Sequence, residues 1–416
     1  MNNHSKIDLR YGFVIAFSTI LILFGLSQNH PIDILTGLWQ IMTQPAGLVT
    51  DYMGISNMGA AFANAGLVTL LFTFLLYRLK QPLNGPFIAA LLTIAGFSFF
   101  GKNLFNVWFI IIGVKCYSKF IKEPFTKFLI PALFGTAMAP AVSEIAFGSG
   151  FTPFISIPLG IFTGIALGFV IPPLGASLIN VHHGFNLYNI GFTAGMIGMA
   201  FVSIIGSFSY VPVSQFIWTT GHNQLLGIFM IGLFVAITLF GFFLNGNSFK
   251  NYTRLFKHSG QLVTDFVQLE GFAVSLINIG VMGILSTLFV LATSGDLNGP
   301  TLGGILTVAG FSAFGKHPKN CLPIFGGVFI ASLMKSFAIN DPSVQLAALF
   351  GTALAPIAGE FGWKWGLVAG FLHSSLVMNV GFLHGGLNLY NNGFAAGLGG
   401  AILVPIINAF KKEDND

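Results

Sequence analysis

The ten residues Asn186-Leu187-Tyr188-Asn189-Ile190-Gly191-Phe192-Thr193-Ala194-Gly195 return as Asn388-Leu389-Tyr390-Asn391-Asn392-Gly393-Phe394-Ala395-Ala396-Gly397, with eight positions identical. A second copy of this quality limits the fold strongly, because one supersecondary plan has to serve both halves. Four further blocks repeat at a single offset of 214 residues. They are Leu48-Val49-Thr50-Asp51 with Leu262-Val263-Thr264-Asp265, Asn64-Ala65-Gly66 with Asn278-Ile279-Gly280, Leu83-Asn84-Gly85-Pro86 with Leu297-Asn298-Gly299-Pro300, and Gly96-Phe97-Ser98-Phe99-Phe100-Gly101-Lys102 with Gly310-Phe311-Ser312-Ala313-Phe314-Gly315-Lys316. At an offset of 216, Thr136-Ala137-Met138-Ala139-Pro140-Ala141-Val142-Ser143-Glu144 returns as Thr352-Ala353-Leu354-Ala355-Pro356-Ile357-Ala358-Gly359-Glu360. The chain reads as a duplication: repeat 1 over 45–210 and repeat 2 over 259–410, with a leading span and loop at 1–44, a linking span at 211–258 and a cytoplasmic tail at 411–416.

Both copies are too apolar for water. Of 416 residues 54% are hydrophobic and 7% charged, with a mean hydropathy of +0.81; soluble domains carry roughly 25% charged residues. Long apolar runs separated by short polar turns indicate helices rather than barrel strands. The expected fold is an all-α integral membrane protein of 12 to 14 transmembrane segments. Those segments fall near 11–28, 57–77, 86–100, 104–120, 128–146, 154–171, 187–208, 224–245, 270–293, 300–315, 321–337, 345–361, 365–382 and 388–409. The runs at 86–100 and 300–315 are short enough to be re-entrant half-helices instead. The net charge of +5 is no nucleic-acid signature, since the basic residues lie in the loops between spans. Cys116 and Cys321 are not repeat-equivalent and read as free thiols. The run at 11–28 reads as an uncleaved span, not a signal peptide.

The loop charges set an orientation. With the amino terminus inside, Arg78, Lys80, Lys119, Lys122, Lys127, Lys250, Arg254, Lys257, Lys316, Lys319, Lys411 and Lys412 fall on or near the cytoplasmic side, and Lys102 and Lys335 outside. Seven crossings then separate equivalent segments. An odd number makes the repeats antiparallel through the membrane, the inverted-repeat plan of transporters and channels. The expected setting is a bacterial cell membrane with both termini cytoplasmic.

Thr136, Pro140 and Glu144 stand at i, i+4 and i+8, as do Thr352, Pro356 and Glu360. Proline deprives the threonine carbonyl of its helical partner, so a carbonyl, a hydroxyl and a carboxylate share one face. One reading makes Glu144 and Glu360 ion-coupling ligands, assisted by Thr136 and Thr352. The other is a kink with the carbonyl held by its own threonine and the acid paired to a lysine. Asp51 and Asp265 are a second acidic pair, placed where an acid caps a helix. Lys102 and Lys316 close their blocks and could snorkel, neutralise an acid or meet an anionic substrate. Asn64 and Asn278 are auxiliary candidates. Pro86 and Pro300 fit the first turn of helices whose N-termini favour anions. His182, Asn186, Tyr188 and Asn189, with His384, Asn388, Tyr390 and Asn391, form paired polar clusters suited to substrate contact, or equally to capping the next span. Gly191, Gly195, Gly393 and Gly397 have the small-xxx-small spacing of close helix contact. Between Glu144 and Asn186 repeat 1 carries 14 more residues than repeat 2, with Pro153, Pro158, Pro172 and Pro173 among them, so an extended or broken helix is expected there only.

On the paired Gly-Phe-Ser-x-Phe-Gly-Lys and Asn-Leu-Tyr-Asn-x-Gly-Phe blocks, the chain resembles a family of multi-pass membrane proteins of Firmicutes classed as a domain of unknown function. That resemblance covers nearly the whole chain and implies no substrate. The plan is also similar to that of urea transporters, which are duplicated inverted repeats with short half-helices. The chain departs from them in lacking a paired Leu-Pro-x-x-Thr-x-Pro-Phe signature and in carrying Glu144 and Glu360.

No phosphate-binding Gly-x-x-x-x-Gly-Lys-Ser/Thr motif is present, which argues against ATP-driven transport, and no His-Glu-x-x-His or Gly-x-Ser-x-Gly supports an enzyme. The expected function is an H⁺- or Na⁺-coupled secondary transporter of a small polar or charged solute, the alternative a passive channel. A membrane-embedded enzyme is the third reading. The lipid bilayer and a small solute or ion are the expected partners; no cofactor is expected, and a homo-oligomer is left open.

Overall fold

A computed structural model describes residues 8–212 and 215–413. The fold is all-α; a two-residue parallel pairing of Val49–Thr50 with Phe216–Ile217 is the sheet described. Among the described residues nine helical segments are long and apolar enough to cross a membrane: Leu9–Gln28, Met58–Arg78, Phe125–Gly148, Pro153–Leu178, Asn189–Gly206, Asn223–Leu244, Phe272–Ala292, Pro342–Phe361 and Asn391–Lys411. The chain is a multi-pass membrane protein. The larger count expected from sequence includes shorter helices, among them Gly85–Phe97, Gly299–Phe311 and Pro318–Met334. A helix not anticipated, Pro31–Met42, lies between the first two spans and leaves Ile32, Leu35 and Trp39 exposed.

The two short helices form the centre. Each has 13 residues, about 20 Å of rise against a hydrocarbon core of about 30 Å. Both are almost wholly buried. They lie side by side with opposite ends together. A Cβ on Gly96, near the end of the first, would come within 2.7 Å of the Gly303 carbonyl near the start of the second. A Cβ on Gly310 would in turn meet Leu92 and Ala89. Glycine is required here because backbone is what touches backbone.

Each half supplies a cap to the other. Asn84 and Asn298 cap their own helices. Asp265 also accepts from the Gly85 N–H at 3.1 Å, while the Asp51 carboxylate lies against the backbone of Gly299. The positive ends of the two short helices therefore face carboxylates of the protein, which stand where an anion is expected from the sequence. Asp51 and Asp265 also cap the short helices Tyr52–Ile55 and Phe266–Leu269.

The glycine stripe behaves as expected. Gly191 sits against Tyr390 and Gly393, Gly195 against Phe394 and Gly397 against Phe192, joining Asn189–Gly206 to Asn391–Glu413. The added residues of repeat 1 lengthen one helix: Pro153–Leu178 has 26 residues, against 16 in Trp363–Met378.

Candidate functional site

The turn after each short helix is pinned by an asparagine from the preceding span. Asn64 Nδ2 donates to the carbonyls of Ser98 and Lys102 at 2.6 and 2.9 Å, and Asn278 Nδ2 to those of Ser312 and Lys316, both at 2.7 Å. Asn106 and Asn320 add bonds to the Gly101 and Gly315 carbonyls, each at 2.9 Å. These turns deliver Lys102 and Lys316 into the interior, where both are fully buried. Neither snorkels, and neither is a loop charge that can vote on orientation.

Between the lysines lies an aromatic cluster in which every contact has a repeat-equivalent. Tyr188 packs on Phe311 with ring centroids 4.7 Å apart, and Tyr390 on Phe97 at 4.6 Å. Phe134 approaches Phe311 at 5.4 Å, and Phe350 approaches Phe97 at 5.6 Å. On the line joining the halves, Tyr188 and Tyr390 meet at 5.2 Å. A cavity of about 320 Å³ leads from Lys127, at the start of the segment Phe125–Gly148, to these rings, with Phe134, Leu187, Tyr188, Phe311 and Tyr390 in its wall.

The paired Asn-Leu-Tyr-Asn blocks build the crossing. Leu187 N–H donates to the Ala353 carbonyl and Leu389 N–H to that of Ala137, at 3.0 and 3.1 Å. Asn186 and Asn388 accept from the Tyr188 and Tyr390 N–H groups and donate to the carbonyls of Gly393 and Gly191. His182 bonds Asn189 at 3.0 Å and His384 bonds Asn391 at 2.9 Å. Asn189 and Asn391 also donate to the Gly175 and Val377 carbonyls. The histidines and asparagines expected to touch substrate thus spend hydrogen bonds on the crossing itself. From these clusters, Tyr188 and Tyr390 are the members that reach the centre.

The Thr-Pro-Glu motif is taken apart by the fold. A 3₁₀ turn lets Ala139 N–H reach the Thr136 carbonyl and Ala355 N–H the Thr352 carbonyl, so the carbonyls expected to be free are occupied. The hydroxyls donate to Leu133 and Leu349 carbonyls, each at 2.6 Å. Eight residues on, the glutamates stand about 12 Å further along the helices, away from the aromatic centre. Glu144 is buried and accepts from Tyr210 Oη at 2.8 Å, in a π-helical turn at the end of its segment. Glu360 is exposed, one residue before the end of Ala355–Phe361. The structure does not bring the two acids together.

One asymmetry breaks the match. Lys316 Nζ donates to Tyr188 Oη at 2.5 Å and to Thr352 Oγ1 at 2.6 Å, and lies 4.5 Å from the Tyr188 ring centroid. On the other side Lys102 Nζ is 5.0 Å from the Phe97 centroid and has no hydrogen-bond partner, while the hydroxyls of Tyr390 and Thr93 neighbour each other. Sequence reasoning named both lysines and both tyrosines but missed Thr93, Asn106 and Asn320. The signal was there in part, since Asn106 and Asn320 also stand 214 residues apart.

A family model described as "Protein of unknown function (DUF1576)" matches residues 30–207 and 244–409, ranges that nearly coincide with the two copies. No curated protein and no solved structure matches the chain. With most of its length covered, and in both copies, the chain belongs to the family of proteins of unknown function DUF1576.

Proposed function

We propose that this chain is a transporter for a small polar or charged solute, working at the interface between two inverted-topology repeats in a cell membrane with both termini cytoplasmic. The observation that carries the reading is the central crossing. Two helices too short to span the bilayer lie buried with opposite ends together, and the turns that follow them converge on the Tyr188–Tyr390 pair. Non-spanning helices at depth are tolerated where protein or a cavity satisfies them, and in transporters such elements carry the site. The cavity that ends at the tyrosines supplies access from the Lys127 side. Coupling to H⁺ or Na⁺ would fall to Glu144, buried beneath Tyr210, rather than to the exposed Glu360.

Flux into liposomes containing the purified protein tests this, with labelled Na⁺, nitrate, formate and urea as probes. Entry faster than into empty liposomes, altered by Tyr188→Ala or Tyr390→Ala, supports the reading. Equal rates for all four probes with and without protein oppose it. Accumulation of label driven by unlabelled solute inside marks a carrier; flux that only follows its own gradient marks the passive channel.

A further inference from the structure

We propose that Lys102, Tyr390 and Thr93 form a binding site for a small monovalent anion. The inference rests on the transport reading for its purpose, naming the solute class, but not for its geometry. Lys102 Nζ, Tyr390 Oη and Thr93 Oγ1 are three buried polar atoms: the ammonium has no partner, and the two hydroxyls have only each other. The Lys102 ammonium and the Tyr390 ring both lie against Phe97, at 5.0 and 4.6 Å from its centroid, and the Thr93 hydroxyl neighbours that of Tyr390. Gly101 presses on Leu389, which places the Lys102 turn directly beside Tyr390.

The repeat-equivalent set shows what satisfaction looks like. There Lys316 reaches both Tyr188 and Thr352, and Thr307, the equivalent of Thr93, donates to the Gly303 carbonyl at 2.7 Å. The same residue types in the first half are left with capacity to spare. With one hydroxyl proton shared between Tyr390 and Thr93, an ammonium and a second hydroxyl remain to donate, and donors of this kind select an acceptor carrying negative charge. A buried ammonium without a counter-charge is costly in a low-dielectric interior, and an anion between these groups would remove that cost.

Lys102 is not needed to cap its helix. The carbonyls at that end are already occupied: Ile94 by Ser98, Phe97 by the Lys102 N–H, Phe99 by the Tyr52 N–H, Gly101 by Asn106, and Ser98 and Lys102 by Asn64.

The test is the melting temperature of the full chain in detergent, titrated with nitrate or formate at constant ionic strength against gluconate, with urea as a neutral control. A ligand held by the folded state raises it in a saturable way. The expected result is a rise with nitrate or formate that Lys102→Gln abolishes and Tyr390→Phe shifts to at least tenfold higher anion concentration. Lys335→Gln should keep it, because Lys335 is held elsewhere by Ser374, Ser375 and the Phe371 carbonyl. No rise over gluconate, an equal rise with urea, or a rise that survives both Lys102→Gln and Tyr390→Phe overturns the site. Should Lys102→Gln not fold, Tyr390→Phe decides, since it removes only a hydroxyl. A rise without flux would sink the transport reading alone; urea flux without a rise would sink the anion site alone.

Discussion

Lys316 donates to the hydroxyl of Tyr188, a residue 128 positions earlier in the other repeat, at 2.5 Å in a fully buried setting. Its repeat-equivalent pair, Lys102 and Tyr390, makes no such bond. The two halves share a framework and differ in how its central polar groups are used.

That difference predicts unequal responses to the same change. Tyr188→Phe leaves Lys316 with Thr352 alone and should lower stability by about 1 kcal/mol, the scale of buried polar bonds in membrane proteins. Tyr390→Phe removes a hydroxyl that neighbours Thr93 and meets no lysine, so without added anion it should lower the melting temperature less than Tyr188→Phe does. Equal losses in the two variants would contradict the asymmetry.

The asparagine pins predict a matched pair. Asn64→Leu and Asn278→Leu each forfeit two bonds to turn carbonyls, and each should cost about 1–3 kcal/mol because buried acceptors are left unmet. Thermal unfolding in detergent reads this directly. A neutral effect at either site would mean that the lysine turns are held by packing alone.

Much of this is legible in the sequence. The blocks at Asn64, Gly96–Lys102 and Asn186–Gly195 marked the pins, turns and crossing because symmetric structure demands repeated residues. The lysine environment was not legible. Whether Lys102 or Lys316 reaches an interface depends on where a 13-residue helix stops, and that is set by the Gly96–Gly303 contact between segments far apart in sequence. Glu144 and Glu360 come to stand in unlike surroundings for a related reason. Their spacing from Thr136 and Thr352 is helical, but the central turn is 3₁₀ and the helices end soon after the acids. Local spacing shows which residues share a face; it does not show how deep that face runs.

The crossing of the short helices predicts steep intolerance to volume. Gly96→Val should abolish folded protein, because even a Cβ would lie 2.7 Å from the Gly303 carbonyl. Gly12→Val, in the first span, meets nothing within 4 Å of its Cβ and should leave the yield unchanged within error. Monodisperse yield on size-exclusion chromatography separates the two. Comparable yields would show that the short helices do not touch as described.

The most direct measurement asks on which side of the membrane equivalent turns emerge. Lys80 and Ser294 follow equivalent spans, stand 214 residues apart, and share a left-handed backbone conformation at φ of 54° and 56°. In a chain with Cys116 and Cys321 replaced by serine, single cysteines Lys80→Cys and Ser294→Cys would be challenged with a membrane-impermeant thiol reagent from either side of sealed vesicles. The inverted-repeat account predicts that the two label from opposite sides. Labelling of both from the same side would contradict it.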